Sequence, residues 1–198
     1  MARTIAKDHD QKRAQILKSA ARVFAREGYD GASMTQLAHE CGISKATIYH
    51  YYDGKEAILF DILETYLCEL RDQICRIEVE GLSPADQLHK VVAETLLAYQ
   101  GMDDEHRVQT SVISALSDEQ QSILRGYQRE MVAFLSRIIE GIAPEVFEGS
   151  AEKLRSTTMS VFGMLNWYYM WNSGAGSKAR EDYAMLVSKL TLHGVKGL

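Results

Sequence analysis

The chain holds 198 residues, 46% of them hydrophobic and 25% charged, with a formal net charge of −5; that is enough for one sizeable core or two modest ones. It has no uninterrupted apolar run of about 18 residues and no charged-then-apolar leader, which argues against a membrane span or signal peptide and for a cytoplasmic protein. Only two prolines occur, Pro84 and Pro144, both where a helix would begin, and alternating β-branched runs are missing, so an all-α fold is expected.

The first predicted helix runs from about Gln11 to Gly28, with Ile16, Leu17, Ala20, Ala21, Val23 and Phe24 on one face. Residues 33–56, SMTQLAHECGISKATIYHYYDGKE, then read as two short helices joined by a tight turn and followed by a third helix start. Ser33 caps the first of the pair, whose buried stripe is Leu37, Ala38 and Cys41. Gly42 tolerates the left-handed conformation of the turn, and Ile43 plugs the gap between the helices. Ser44 caps the second, in which Ile48 and Tyr52 hold the inner face. Lys45, Ala46, Thr47, Tyr49, His50 and Tyr51 are small, hydrogen-bonding or phosphate-reaching. This is the layout of a DNA-reading helix-turn-helix.

A long fourth helix, from about Lys55 to Glu80, carries Ile58, Leu59, Ile62, Leu63, Tyr66, Leu67, Leu70 and Ile74 at helical spacing. Five more follow, near 84–100, 104–116, 118–141, 150–172 and 179–195, giving about nine helices separated by short Gly- and Ser-containing breaks.

The runs Ile16-Leu17-Lys18-Ser19-Ala20, Phe24-Ala25-Arg26-Glu27-Gly28-Tyr29, Ser44-Lys45-Ala46-Thr47-Ile48-Tyr49 and Lys55-Glu56 together resemble the N-terminal domain of the TetR family of one-component bacterial transcriptional regulators, over about the first 60 residues. The resemblance implies a three-helix DNA-binding domain over 1–54 and a helical ligand-binding and dimerisation domain over 55–198. Carried onto this chain, it implies DNA contacts from Thr35 at the start of the first helix of the pair and from Ser44, with Lys45, Ala46 and Thr47 at base edges. Tyr49, Tyr51 and Lys55 would meet phosphates, and His50 lies in the same helix. The family pattern has Phe at the second position after Tyr-His. Here the run is Tyr49-His50-Tyr51-Tyr52, which leaves open which tyrosine faces DNA and which the core.

The negative net charge is unevenly divided. Residues 1–56 hold nine Lys/Arg against seven Asp/Glu, a balance of +2, and residues 57–198 hold thirteen against twenty, a balance of −7. The basic groups therefore gather at the DNA-reading end, with Arg3, Lys7, Lys12 and Arg13 forming a polar N-terminal arm that suits either phosphate contact or solvent.

The stretch Met159 to Trp171, MSVFGMLNWYYMW, lacks the polar stripe of a helix packed on one side. It calls for a covering nearly all round, either a partner subunit or a ligand cavity, and the resemblance implies that the last two long helices pair with their mates in a homodimer. Gly163 permits close helix approach. Trp167, Tyr168, Met170 and Trp171 read either as core or, with Tyr99, Val112 and Phe134, as the lining of an effector cavity. The Asn166-Trp167 pair, with Lys178 and Arg180 beyond a Gly-rich break, is similar to regulators that sense acyl-CoA thioesters, an apolar tunnel suiting the acyl group and a basic helix start the phosphates.

Cys41, Cys68 and Cys75 read as buried thiols rather than a disulfide framework, since Cys68 and Cys75 stand seven apart on one helix, roughly 10 Å along its axis. The histidines are scattered, so neither a metal nor a cofactor is expected. No GxSxG, HExxH, CxxC or GxxxxGK[ST] pattern occurs, which argues against an enzyme. The expectation is a homodimeric transcriptional repressor that binds a double-stranded pseudo-palindromic operator and is released by a small hydrophobic effector. That effector is either an acyl- or aryl-CoA thioester or, in a regulator of efflux or stress genes, a non-CoA compound. A helical interaction protein without DNA binding is the competing class.

Overall fold

A computed structural model describes the backbone of residues 2–195 and the side chains of residues 9–194. Among the described residues the regular structure is all helical: α1 (Ala2–Glu27), α2 (Met34–Glu40), α3 (Lys45–Tyr51), α4 (Lys55–Cys75), α5 (Pro84–Ala98), α6 (Asp103–Val112), α7 (Asp118–Ile142), α8 (Pro144–Phe147), α9 (Ala151–Trp171) and α10 (Ser177–Val195), with a 3-10 turn over Ile113–Ala115. None of these helices is long and apolar enough to cross a membrane.

Two compact units result. One comprises residues 1–67 and 104–124, the other residues 68–103 and 125–198, so α4 supplies residues to both. In the first, Ile16, Ala20, Val23 and Phe24 of α1, Leu37 and Ala38 of α2, Ile48 of α3 and Ile58, Leu59 and Leu63 of α4 are buried. In the second, α5 packs along α10. Its core is drawn from Leu88, Val92 and Leu96 of α5, Leu135 and Ile139 of α7, Val161, Leu165 and Tyr168 of α9 and Val187 of α10. Burial of side chains of this size contributes about 1.5–3 kcal/mol each before chain entropy is counted.

Local chemistry sets several of the helix starts. Ser33, Ser44, Ser83 and Ser150 each accept a backbone N–H three residues on, meeting one of the orphan donors of a first turn. Pro84 and Pro144 occupy first-turn positions, where a missing N–H costs nothing.

Three details differ from the sequence expectation. Among the described residues there are ten α-helices rather than nine, because Pro144 opens the one-turn α8 inside what reads as a break. Helix α1 reaches back to Ala2, no Gly or Pro interrupting residues 2–10. Helix α4 stops at Cys75 instead of near Glu80; beyond it the Lys90 amine donates to the Glu78 carbonyl at 2.8 Å and ties the connection to α5.

Candidate functional site

Helices α2 and α3 are joined by a Schellman turn. The Gly42 N–H reaches the His39 carbonyl and the Ile43 N–H the Ala38 carbonyl, both at 3.0 Å, and Gly42 sits at φ 63°, where a side chain would be strained. The Ser44 hydroxyl accepts the Thr47 N–H at 3.0 Å and pairs with the Thr47 hydroxyl at 2.8 Å. Two of the expected DNA-contact side chains thus brace the first turn of α3.

With Ile48 buried, the outward face of α3 carries Lys45, Ala46, Tyr49 and His50, all exposed at i, i+1, i+4 and i+5. The Lys45 ammonium stands 6.0 Å from the Tyr49 ring centroid. Thr35 is exposed in the first turn of α2, and Thr47 is half-buried. Tyr51 is half-buried too, stacked on His9 of α1 at 4.8 Å and edge-on to His50 at 5.8 Å. Lys55 is turned back on its own unit, donating to the Tyr29 carbonyl at 2.8 Å and the Asp30 carbonyl at 3.4 Å, above the Tyr29 ring.

The tyrosine that faces inward is Tyr52. It is buried, and its hydroxyl donates to Asp61 of α4. Arg13 of α1 donates from Nε to the same carboxylate oxygen at 2.9 Å and from Nη2 to the other. Burial, reinforced by the Asp61 hydrogen bond, pushes the Tyr52 phenol well above its ordinary range. Arg13, grouped in the sequence with the phosphate-reaching arm, is therefore a structural partner. Arg3 and Lys7 lie outside the residues whose side chains are described. Sequence reasoning missed Asp61 and His9, and no local pattern marks either.

The residues expected to line an effector cavity separate into two groups. Tyr99 and Tyr168 are buried and engaged: the Tyr99 hydroxyl donates to Asn166 Oδ1 at 2.7 Å, and Tyr168 stacks on Tyr183 at 4.6 Å and receives Asn172 Nδ2 at 2.6 Å. Trp167, Met170 and Trp171 are exposed. Val112 ends α6, and Phe134 lies on α7 with the Arg137 guanidinium 5.8 Å from its ring; both are half-buried. None of the seven lines the concavity of about 400 Å³ that opens between α9 and α10.

Arg180 differs from its expected role beside Lys178 at a phosphate site. Its side chain is 1% exposed, donating to the Ala175 carbonyl at 3.0 Å and the Leu96 carbonyl at 3.1 Å, with Asp103 at 3.6 Å and the Tyr168 ring beneath. The Leu96 and Ala175 carbonyls and the Asp103 carboxylate draw it inward, whereas Lys178 stays exposed and pairs with Asp182 at 2.6 Å.

Residues 16–62 match the family of bacterial regulatory proteins named for tetR, and residues 81–195, more than half of the chain, match the C-terminal domain of tetracyclin-repressor-like proteins. The chain belongs to the TetR family of transcriptional regulators. A TetR-family regulator from Bordetella parapertussis 12822 is 32% identical to this one, with 94% of this chain and 96% of that chain covered at a TM-score of 0.82. AibR, solved in complex with isovaleryl coenzyme A and operator DNA, shares the fold at 23% identity and a TM-score of 0.75, over 91% of this TetR-family chain and 98% of its own. The uncharacterized HTH-type regulator YuxN of Bacillus subtilis (strain 168) is 34% identical over 92 residues, 45% of this chain; the match spans about a third, 32%, of YuxN itself.

Proposed function

We propose that the chain acts as a homodimeric, effector-responsive repressor that reads a pseudo-palindromic double-stranded operator with α3. The observation that carries this reading is the outward face of α3, where Lys45, Ala46, Tyr49 and His50 stand free of the core while Ile48 and Tyr52 fasten the helix from behind. In the proposed complex Lys45, Ala46 and Thr47 meet base edges and Tyr49 and Tyr51 meet phosphates. Ser44 holds the helix start against the backbone, and Thr35 and Lys55 flank it. The working division falls at residue 54, with a DNA-reading part over 1–54 and an effector-binding and dimerising part over 55–198. Its acidic balance keeps the second part off DNA. The apolar outer faces of α9 and α10 support the homodimer, since an apolar surface of that size is rarely left to solvent.

The effector is a small apolar compound, and the AibR complex with isovaleryl coenzyme A makes acyl-CoA thioesters the first class to try. Selection from random duplexes, followed by anisotropy titration across a salt series, tests the central claim. One operator with dyad symmetry, and an affinity that falls steeply between about 50 and 200 mM salt, is expected. A helical interaction protein would enrich no sequence.

A further inference from the structure

Packing within one copy leaves part of α9 and α10 unexplained. Met159, Trp167, Met170 and Trp171 of α9 and Leu186 and Leu190 of α10 are 47–61% exposed. Together they offer roughly 700 Å² of surface, close to the ~800 Å² that each partner gives to a standard stable interface. Trp171 is exposed yet held in place. Its ring lies 4.9 Å edge-on from Tyr168 and 5.3 Å from Tyr183, so little side-chain freedom remains to be lost on association.

The concavity of about 400 Å³ lies nearer the other ends of these helices, lined by Ser156, Ser160, Val161 and Met164 of α9 and by Leu190 and Thr191 of α10, among others. The Ser160 and Thr191 hydroxyls are bound back to the Ser156 and Val187 carbonyls at 2.9 and 2.8 Å, so the wall is mostly apolar, with Lys153 and Thr157 also in its lining. Its centre is about 20 Å along α9 from Trp171, at 1.5 Å per residue, beyond reach of the same copy's indole. The midpoint between knob and hole is the level of Leu165, next to Gly163. A Cβ on Gly163 would meet nothing within 4 Å, so no contact inside this chain asks for a glycine there.

We infer that Trp171 of one copy seats in the α9–α10 concavity of a second copy, across a twofold axis passing between the levels of Gly163 and Trp167. A twofold interface is self-complementary, so one knob and one hole on the same face are used twice. The inference rests on the homodimer reading and adds its register and anchor.

Sedimentation equilibrium on the full chain tests it. Trp171→Ala should raise the dimer dissociation constant by about 10- to 100-fold, and Ser160→Phe, which fills the hole, should do the same. The double variant should lose little more than either alone, because both changes delete one contact. In Trp167→Phe, where Trp171 is the sole tryptophan, emission should shift to the blue as concentration rises through the dissociation constant. A monomeric parent protein would overturn the homodimer reading itself. A dimer whose dissociation constant neither change moves, additive losses, or unshifted emission would overturn the docking of Trp171 while leaving the homodimer standing.

Discussion

The Tyr52 hydroxyl and the Asp61 carboxylate share a hydrogen bond that ties the end of α3 to α4. Arg13 of α1 closes on the same carboxylate, so three helices of the DNA-reading unit meet at one buried charge. The recognition helix is therefore aimed from behind, by residues that need not touch DNA.

Tyr52→Phe removes one hydrogen bond from that carboxylate and leaves Arg13 in place, which should cost about 1–2 kcal/mol in urea unfolding. Asp61→Ala leaves the buried phenol without its acceptor while the part-exposed Arg13 guanidinium can turn to water, and should cost about 1–3 kcal/mol. Both should weaken every duplex by a similar factor, which titration of a consensus and a mismatched operator would show.

The same phenol sets an alkaline limit. Burial, then Asp61, raises Tyr52 above 10.0, and burial alone raises Tyr99. The unfolded chain therefore loses these protons first. The stabilisation is complete below pH ~10 and is lost as pH climbs from there toward the folded-state values. Unfolding midpoints should fall above pH ~10, with a shallower fall in Tyr52→Phe.

On the outward face, Lys45→Ala should cost about 1–3 kcal/mol of operator binding and relax preference at one position, whereas Tyr49→Phe should weaken all sites alike. Repeating the binding-site selection with each variant separates the two. A Lys45→Ala protein that keeps the full preference would remove Lys45 from base reading.

Arg180 should behave as an internal strut. Arg180→Ala leaves Asp103 with its Ser173 and Gly174 donors but uncovers the Leu96 and Ala175 carbonyls, and should destabilise the chain by about 3–5 kcal/mol in urea. Lys178→Ala, two residues away on the exposed face, should leave the midpoint unchanged.

The effector and the operator should compete reciprocally. A coupling of about 1–3 kcal/mol corresponds to roughly a 5–150-fold change in either affinity when the other ligand is saturating. Thermal-shift screening with CoA thioesters, followed by tryptophan fluorescence titration with and without operator, measures both. A compound whose affinity ignores saturating operator is not the effector.

Much of the helix-turn-helix is legible in the sequence because its determinants are local. Serine caps, a glycine in the left-handed region and an inward pair four residues apart each work within one or two turns, and Ser33, Ser44, Gly42, Ile48 and Tyr52 behave as read. The Arg13–Asp61 pair spans 48 residues, and a lone charge on a helix reads as solvated, so the clamp is invisible until the helices are packed. Helix α8 escapes for another reason. Four residues between Gly141 and Gly149 are too few to show a period. Aromatic content alone does not sort Tyr168 from Trp171, adjacent turns of one helix, into core and surface.

Cys41 is sealed where α2 packs on α1, its thiol directed at the Ile16 carbonyl at 3.9 Å, and burial holds that thiol in its unreactive, protonated form. Alkylation at Cys41 must wait until the two helices part, while the partly exposed Cys68 and Cys75 can be modified without that event. The DNA-reading head thus carries its own chemical clock: the rate at which Cys41 is labelled counts how often the head opens, and bound operator should slow it.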